Sequence, residues 1–145
     1  MTAWTMTFDC ADPVVLAAFW KTALGYVDAP PPDGFASWED WFVACDVPED
    51  ERDDGASLVD PAGVLPRLSF LKVPEPKTAK NRLHVDLQVA GGRALPDDVR
   101  WPRITATVER LVTAGGSVVH THGHDHVVMT DPEKAAKQVK TEGRA

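Results

Sequence analysis

The sequence predicts an α+β fold of two paired βαβββ modules, which form a curved mixed sheet with helices on its outer face. Three observations predict it. Residues 4–10 alternate apolar and polar, as a strand with one buried face does. A capped amphipathic helix follows at once, from Asp12 to Gly25. The same order then restarts near residue 82, where His84-Val85-Asp86 lines up with Thr7-Phe8-Asp9. An internal duplication of this length is a paired-module signature, not a short-period solenoid.

The elements can be justified in order. In the first strand Trp4, Met6, Phe8 and Cys10 share the apolar face, and Thr5, Thr7 and Asp9 the other. Asp12 can cap the free N–H groups of a helix, and Pro13 at its first position loses no hydrogen bond. Leu16, Phe19, Trp20, Ala23 and Leu24 form its buried stripe, and Gly25 suits a left-handed terminus. Pro30-Pro31-Pro32-Asp33-Gly34 is a turn or loop. Trp38, Trp41, Phe42 and Val43 read as a strand or an inward-packing loop. Residues 55–60 and 67–73 read as strands, the latter stopped by Pro74 and Pro76.

The second module opens on residues 82–89, with Leu83, Val85, Leu87 and Val89 opposite His84, Asp86 and Gln88. A loop through Pro102 leads to a helix over about residues 103–114, with Ile104, Val108, Leu111 and Val112 on its stripe. Residues 117–122 and 126–130 make two strands around a turn at Gly123. Module one covers about residues 1–75 and module two about 78–133. The polar tail, 134–145, is built of helix-forming residues and shows no strand alternation.

A chain of 145 residues corresponds to one domain, large enough to bury roughly 70% of its unfolded surface. Its 43% hydrophobic and 26% charged residues exclude a disordered tail protein. No apolar run reaches a membrane-spanning length, and Met1-Thr2-Ala3-Trp4 has no leader character, so a cytoplasmic protein is expected. The net charge of −7 argues against nucleic acid as a partner. Asp46, Glu49, Asp50, Glu51, Asp53 and Asp54 crowd around Arg52, a pattern of solvated loops. Cys10 and Cys45 have no paired spacing, so neither a disulfide framework nor a thiolate zinc site is expected. Cys10 reads as a small buried hydrophobe.

Three stretches carry a family resemblance. DCADPVVLAAFWKTALGY resembles the opening of glyoxalase-like members of the vicinal oxygen chelate superfamily. VPEPKTAKNRLHVDL, the most specific stretch, resembles the hinge between their modules and the first strand of the second. ERLVTAGGSVV followed by HVVMTDPE resembles the rest of module two, so the similarity spans most of residues 4–133 in order. The resemblance implies paired βαβββ modules around a cleft, commonly as homodimers. It does not imply one function, because the superfamily holds metal-dependent lyases, isomerases and dioxygenases beside metal-free drug-sequestering proteins, of which bleomycin resistance proteins are the type.

Metal-dependent members place His or Glu on the first and last strands of each module. Carried over position by position, this gives Thr7 in the first strand, Ser69 or Leu71 in the fourth, and His84 in the fifth. Relatives continue after DPE as Gly-Asn-Glu-Phe, whereas this chain runs through Lys134-Ala135-Ala136-Lys137. His84 alone matches a ligand position, so no cofactor and no family metal is expected. His84 is the candidate acid–base residue, since a nearby Asp86 would raise its pKa. His120, His122 and His124 could hold an adventitious metal at a hairpin tip, or be merely solvated. His126 can face the cleft, and Asp125 is either its orienting partner or a turn residue.

The expectation is a small, partly apolar ligand, contacted by Thr7, Trp38, Trp41, His84, Asp86 and His126 in a cleft between the modules. Two alternatives stay open. One is an enzyme of the superfamily with an unusual metal site or His84 chemistry. The other is a non-catalytic assembly protein.

Overall fold

The computed structural model describes residues 2–92, 94–133 and 138–142. The first module contains β1 (Thr5–Cys10), α1 (Pro13–Leu24), β2 (Val27–Asp28), α2 (Trp38–Ala44), β3 (Gly55–Val59) and β4 (Arg67–Lys72). The second contains β5 (His84–Gln88), α3 (Asp97–Thr113), β6 (Ser117–His122), β7 (His126–Thr130) and β8 (Gln138–Glu142). Their sheets run β1-β4-β3-β2 and β5-β8-β7-β6, the same order twice. In each sheet the first and last strands pair in parallel, and the other neighbours are antiparallel. The duplication seen in sequence is therefore a duplication of topology.

Strand β8 corrects the reading of the tail. Its residues are paired in parallel with β5, from His84 opposite Gln138 to Gln88 opposite Glu142, and antiparallel with β7. Without it, two interior edges of N–H and C=O groups would lack partners, and completing that ladder outweighs the local preference for helix. The last strand of the second module is thus present, although the position opposite His84 in it is held by Gln138 and not by a Glu.

Two helices also differ from expectation. Residues 38–44 form α2, because Ser37 caps the helix by accepting the Asp40 N–H at 3.1 Å. The spacing of Trp38, Trp41 and Phe42 is then helical, one face rather than alternate faces. Helix α3 starts at Asp97 and runs through Pro102. Asp97 and Asp98 favour its N-terminus. The cost of the hydrogen bond missing at Pro102 is offset by burial of Ile104 and Leu111.

One core runs through both modules. Asp12 accepts the Val15 N–H at 3.0 Å and Gly25 ends α1 at φ 71°, so the helix lies where its stripe meets the sheet. Leu16, Phe19 and Trp20 are buried against Phe8, Leu58, Leu68 and Phe70, with Phe8 and Phe70 stacked at 5.1 Å. Leu87, Ile104, Leu111, Val127 and Met129 continue this core into the second module. The predicted apolar faces fray at their ends: Trp4, Leu83 and Val112 are exposed, because nothing covers the strand starts and the far side of α3. A second tie joins the modules at the surface. The Glu133 carboxylate accepts the N–H groups of Ala11 at 2.9 Å and Asp12 at 2.6 Å, just before α1. After β3, the Asp60 carboxylate accepts three backbone N–H groups, from Ala62, Val64 and Leu65, which hold its pKa below the usual range.

The two cysteines are unpaired and sit in opposite environments. Cys10 is 4% exposed, and burial, helped by the Glu133 charge, pushes its thiol up to about 11. Cys45 is exposed. Because the thiolate is the nucleophile, alkylation at pH 7.5 is expected to label Cys45 in the folded chain and Cys10 only on unfolding. Peptide mass mapping checks this, and equal labelling of both in the native state would contradict it.

Candidate functional site

The polar face of the first sheet carries a ladder of hydroxyls. Register places Thr7 of β1 beside Ser69 of β4, and Ser69 beside Ser57 of β3. The Ser57 and Ser69 hydroxyl oxygens lie 3.4 Å apart. These three side chains form the floor of a cavity of about 660 Å³. That is a typical size for a small-molecule site.

Helix α2 builds the aromatic wall. Trp38 and Trp41 meet edge to face at 5.6 Å, and Phe42 packs on both. The Trp38 indole N–H donates to the Ala29 carbonyl at 2.8 Å, which ties the wall to the segment after β2. Arg52 braces the outside of α2. Its Nη1 donates to both Glu39 carboxylate oxygens, at 2.7 and 3.0 Å, and its guanidinium lies 5.7 Å from the Phe42 ring centre.

The rim is acidic. Asp28, Glu51, Asp53 and Asp54 border the cavity with Arg52. Lys21 pairs with Asp28, and Lys72 donates to Asp54 at 2.6 Å. The hydrogen bond and charge of Asp54 raise the Lys72 pKa. Among the described residues Glu51 and Asp53 have no ion-pair partner. The acidic block expected as solvated loop thus supplies part of a cavity edge. Only the pairing of β3 with β4 brings it there, and no local pattern announces that.

The structure gathers Thr7, Trp38 and Trp41 around this one cavity. His84, Asp86 and His126 do not line it. All lining residues belong to the first module, so within one chain the cleft is not shared between modules. His84 and Asp86 are exposed on β5, and neither bonds to the other. His126 lies on β7, largely covered, with Nδ1 2.9 Å from an Asp125 oxygen. His124 stacks on Trp101 of α3 at 4.8 Å, while His120 and His122 pack together on β6. The histidine set that gathers is therefore His120, His122 and His126, with His124 turned away. Ser57, Glu51 and Asp53 were not expected at a site; pairing of the two Ser-bearing strands is the signal for Ser57, and it needs the register.

A divalent metal in the family position would need ligands from the cavity floor. Thr7 and Ser69 offer neutral hydroxyls there, one of them already engaged with Ser57. Such groups hold divalent ions poorly beside imidazole or carboxylate. The donor set at the floor does not fit the metal. Among the described residues no three His, Cys, Asp or Glu side chains stand arranged around an ion. No helix among them is long and apolar enough to cross a membrane.

Comparison with known proteins follows the fold. A glyoxalase/bleomycin resistance protein/dioxygenase family enzyme from Burkholderia phytofirmans superposes with a TM-score of 0.57 at 11% identity, covering 95% of this chain and 96% of that one. A possible glyoxalase from Bacillus cereus gives 0.57 at 14% identity, with 98% of each chain covered. The genomically encoded fosfomycin resistance protein FosX from Listeria monocytogenes gives 0.59 at 8% identity, covering 100% of this chain and 92% of that one. No curated protein sequence matches the chain. The glyoxalase-like domain family matches residues 5–139, nearly the whole sequence and both modules. With the repeated strand order of its two sheets, this chain belongs to the glyoxalase-like domain family, within the vicinal oxygen chelate superfamily.

Proposed function

We propose that the protein binds a small, partly apolar, positively charged molecule in the first-module cavity, without the family metal. The carrying observation is the cavity lining: an aromatic wall, a hydroxyl floor and a rim on which, among the described residues, the Glu51 and Asp53 carboxylates have no ion-pair partner while Arg52, Asp28 and Asp54 do. Aromatic faces and carboxylates together favour an organic cation. The hydroxyls would orient its polar atoms by hydrogen bonds. The polar face of β5, with His84, Asp86 and Gln88, is exposed in the single chain. In a homodimer a second copy could present that face to the cavity, and this would give His84 and Asp86 their contact role.

A thermal-shift and calorimetric screen tests the reading with matched aromatic amines, neutral isosteres and carboxylates. The amines are expected to bind best. At 100 times the dissociation constant they should add about 2.7 kcal/mol to stability. Trp41→Ala removes one wall and is expected to weaken binding by about tenfold or more, about 1.4 kcal/mol. Equal binding of amines and neutral isosteres would remove the charge from the proposal. Undiminished binding by the Trp41 variant would move the ligand out of this cavity.

A further inference from the structure

We propose that Glu39, which does not itself line the first-module cavity, sets the charge preference of that cavity by holding Arg52. The inference rests on the cation reading above and names the residue that keeps the rim negative. Glu39 is a positioning residue, acting through the Arg52 guanidinium.

In the sequence Arg52 stands between two carboxylates, Glu51 and Asp53. In the structure it pairs with neither of them. Arg52 ends the 3₁₀ turn Glu49–Glu51 with a helical backbone, φ −66° and ψ −25°. Consecutive residues of a helical turn do not face each other. The Arg52 side chain crosses to α2 instead, where three contacts fix its guanidinium. Nη1 donates to the two Glu39 oxygens at 2.7 and 3.0 Å, and Nε donates to the Val47 carbonyl at 3.4 Å. The third contact is the Phe42 ring, with its centre 5.7 Å from the guanidinium carbon.

The consequence is electrostatic. Among the described residues that line the cavity, Arg52 carries the one positive charge. Glu39 compensates that charge from outside the lining, so Glu51 and Asp53 keep theirs for a ligand. With Glu39 neutralised, the guanidinium would stay on the rim with its charge uncompensated. Its long side chain could then turn toward Glu51, Asp53 or an anionic group on a ligand. A guanidinium offers paired N–H donors that suit a carboxylate. The same cavity would lose its preference for cations.

Two measurements on the full chain test this. Phenylglyoxal labelling, located by peptide mass mapping, needs no ligand. Arg52 is expected to react several-fold faster in Glu39→Gln than in the unaltered chain, with exposed Arg67 as internal reference. Unchanged labelling of Arg52 would overturn the proposal. Calorimetry with phenethylamine and phenylacetate reads the charge preference. Glu39→Gln is expected to lower the amine-to-carboxylate affinity ratio by about tenfold, with about threefold weaker amine and threefold tighter carboxylate binding. In an Arg52→Gln background the same change should move the ratio by less than about twofold, because Glu39 is exposed and solvent screens its own charge. An equal fall in both affinities would make Glu39 only a support of α2. The full shift in the Arg52→Gln background would make the charge of Glu39 itself the cause. Either result overturns the proposal. If Glu39→Gln keeps the amine preference of the unaltered chain, this proposal alone falls. If the unaltered chain has no amine preference, the cation reading falls and this proposal with it.

Discussion

Replacing Trp20 with alanine is expected to destabilise the protein by about 3–5 kcal/mol, the largest effect of any single side chain considered. Trp20 is 0% exposed on α1. It meets Phe19 edge to face at 5.5 Å and Phe8 at 5.6 Å. The void left by its indole is bounded by a sheet on one side and by its own helix on the other, so the surroundings can close only partly. Its indole N–H has no hydrogen-bond partner among the described residues. The loss is therefore one of packing and burial, and Trp20→Phe should recover much of it. Urea unfolding measures both variants. Domains of this kind have about 5–15 kcal/mol in total, so the alanine variant should lose about a fifth or more of that margin and unfold at clearly lower urea. A cost below about 1 kcal/mol would mean that α1 does not pack as described.

Gly116→Ala is expected to destabilise by about 1–3 kcal/mol through overpacking. The backbone at Gly116 does not need a left-handed conformation; the constraint is space. A Cβ there would stand 2.9 Å from the Phe19 ring, 3.0 Å from the Leu111 carbonyl oxygen and 3.1 Å from the Thr130 carbonyl oxygen. Two of these neighbours are backbone atoms of α3 and β7, which cannot swing aside. The third belongs to α1, so the glycine is where the first module's helix sits on the second module. Neighbouring Gly115 is different, since its φ of 103° makes it the turn residue after α3. Thermal unfolding of Gly116→Ala should show one cooperative transition at lower temperature. Two separated transitions would show instead that the modules fold independently.

Much of the architecture can be read from local chemistry. The alternation in β1 and β5 follows from one buried sheet face. Asp12, Pro13 and Gly25 mark the ends of α1 because caps act within a few residues. The β6–β7 hairpin follows from its pattern and from Gly123, which has φ 53°. The aromatic wall was half legible. Its residue types pointed to a pocket, but the strong β-forming character of Trp and Phe hid the helix that Ser37 starts. The candidate site was less legible, because Ser57, Ser69 and the acidic rim are unremarkable until the strands are paired.

The sequence by itself determined the paired modules, the buried stripe of α1, the strand faces and the absence of strong metal ligands at Thr7 and Ser69. Those properties depend on residue type and on contacts a few positions apart. Only the tertiary structure decided that residues 138–142 become β8, that His126 rather than His124 joins His120 and His122, and that the cavity belongs to the first module alone. Each of these depends on partners far along the chain. A polar tail becomes a strand when two open edges need their hydrogen bonds completed, and a histidine joins a cluster when register puts it opposite another.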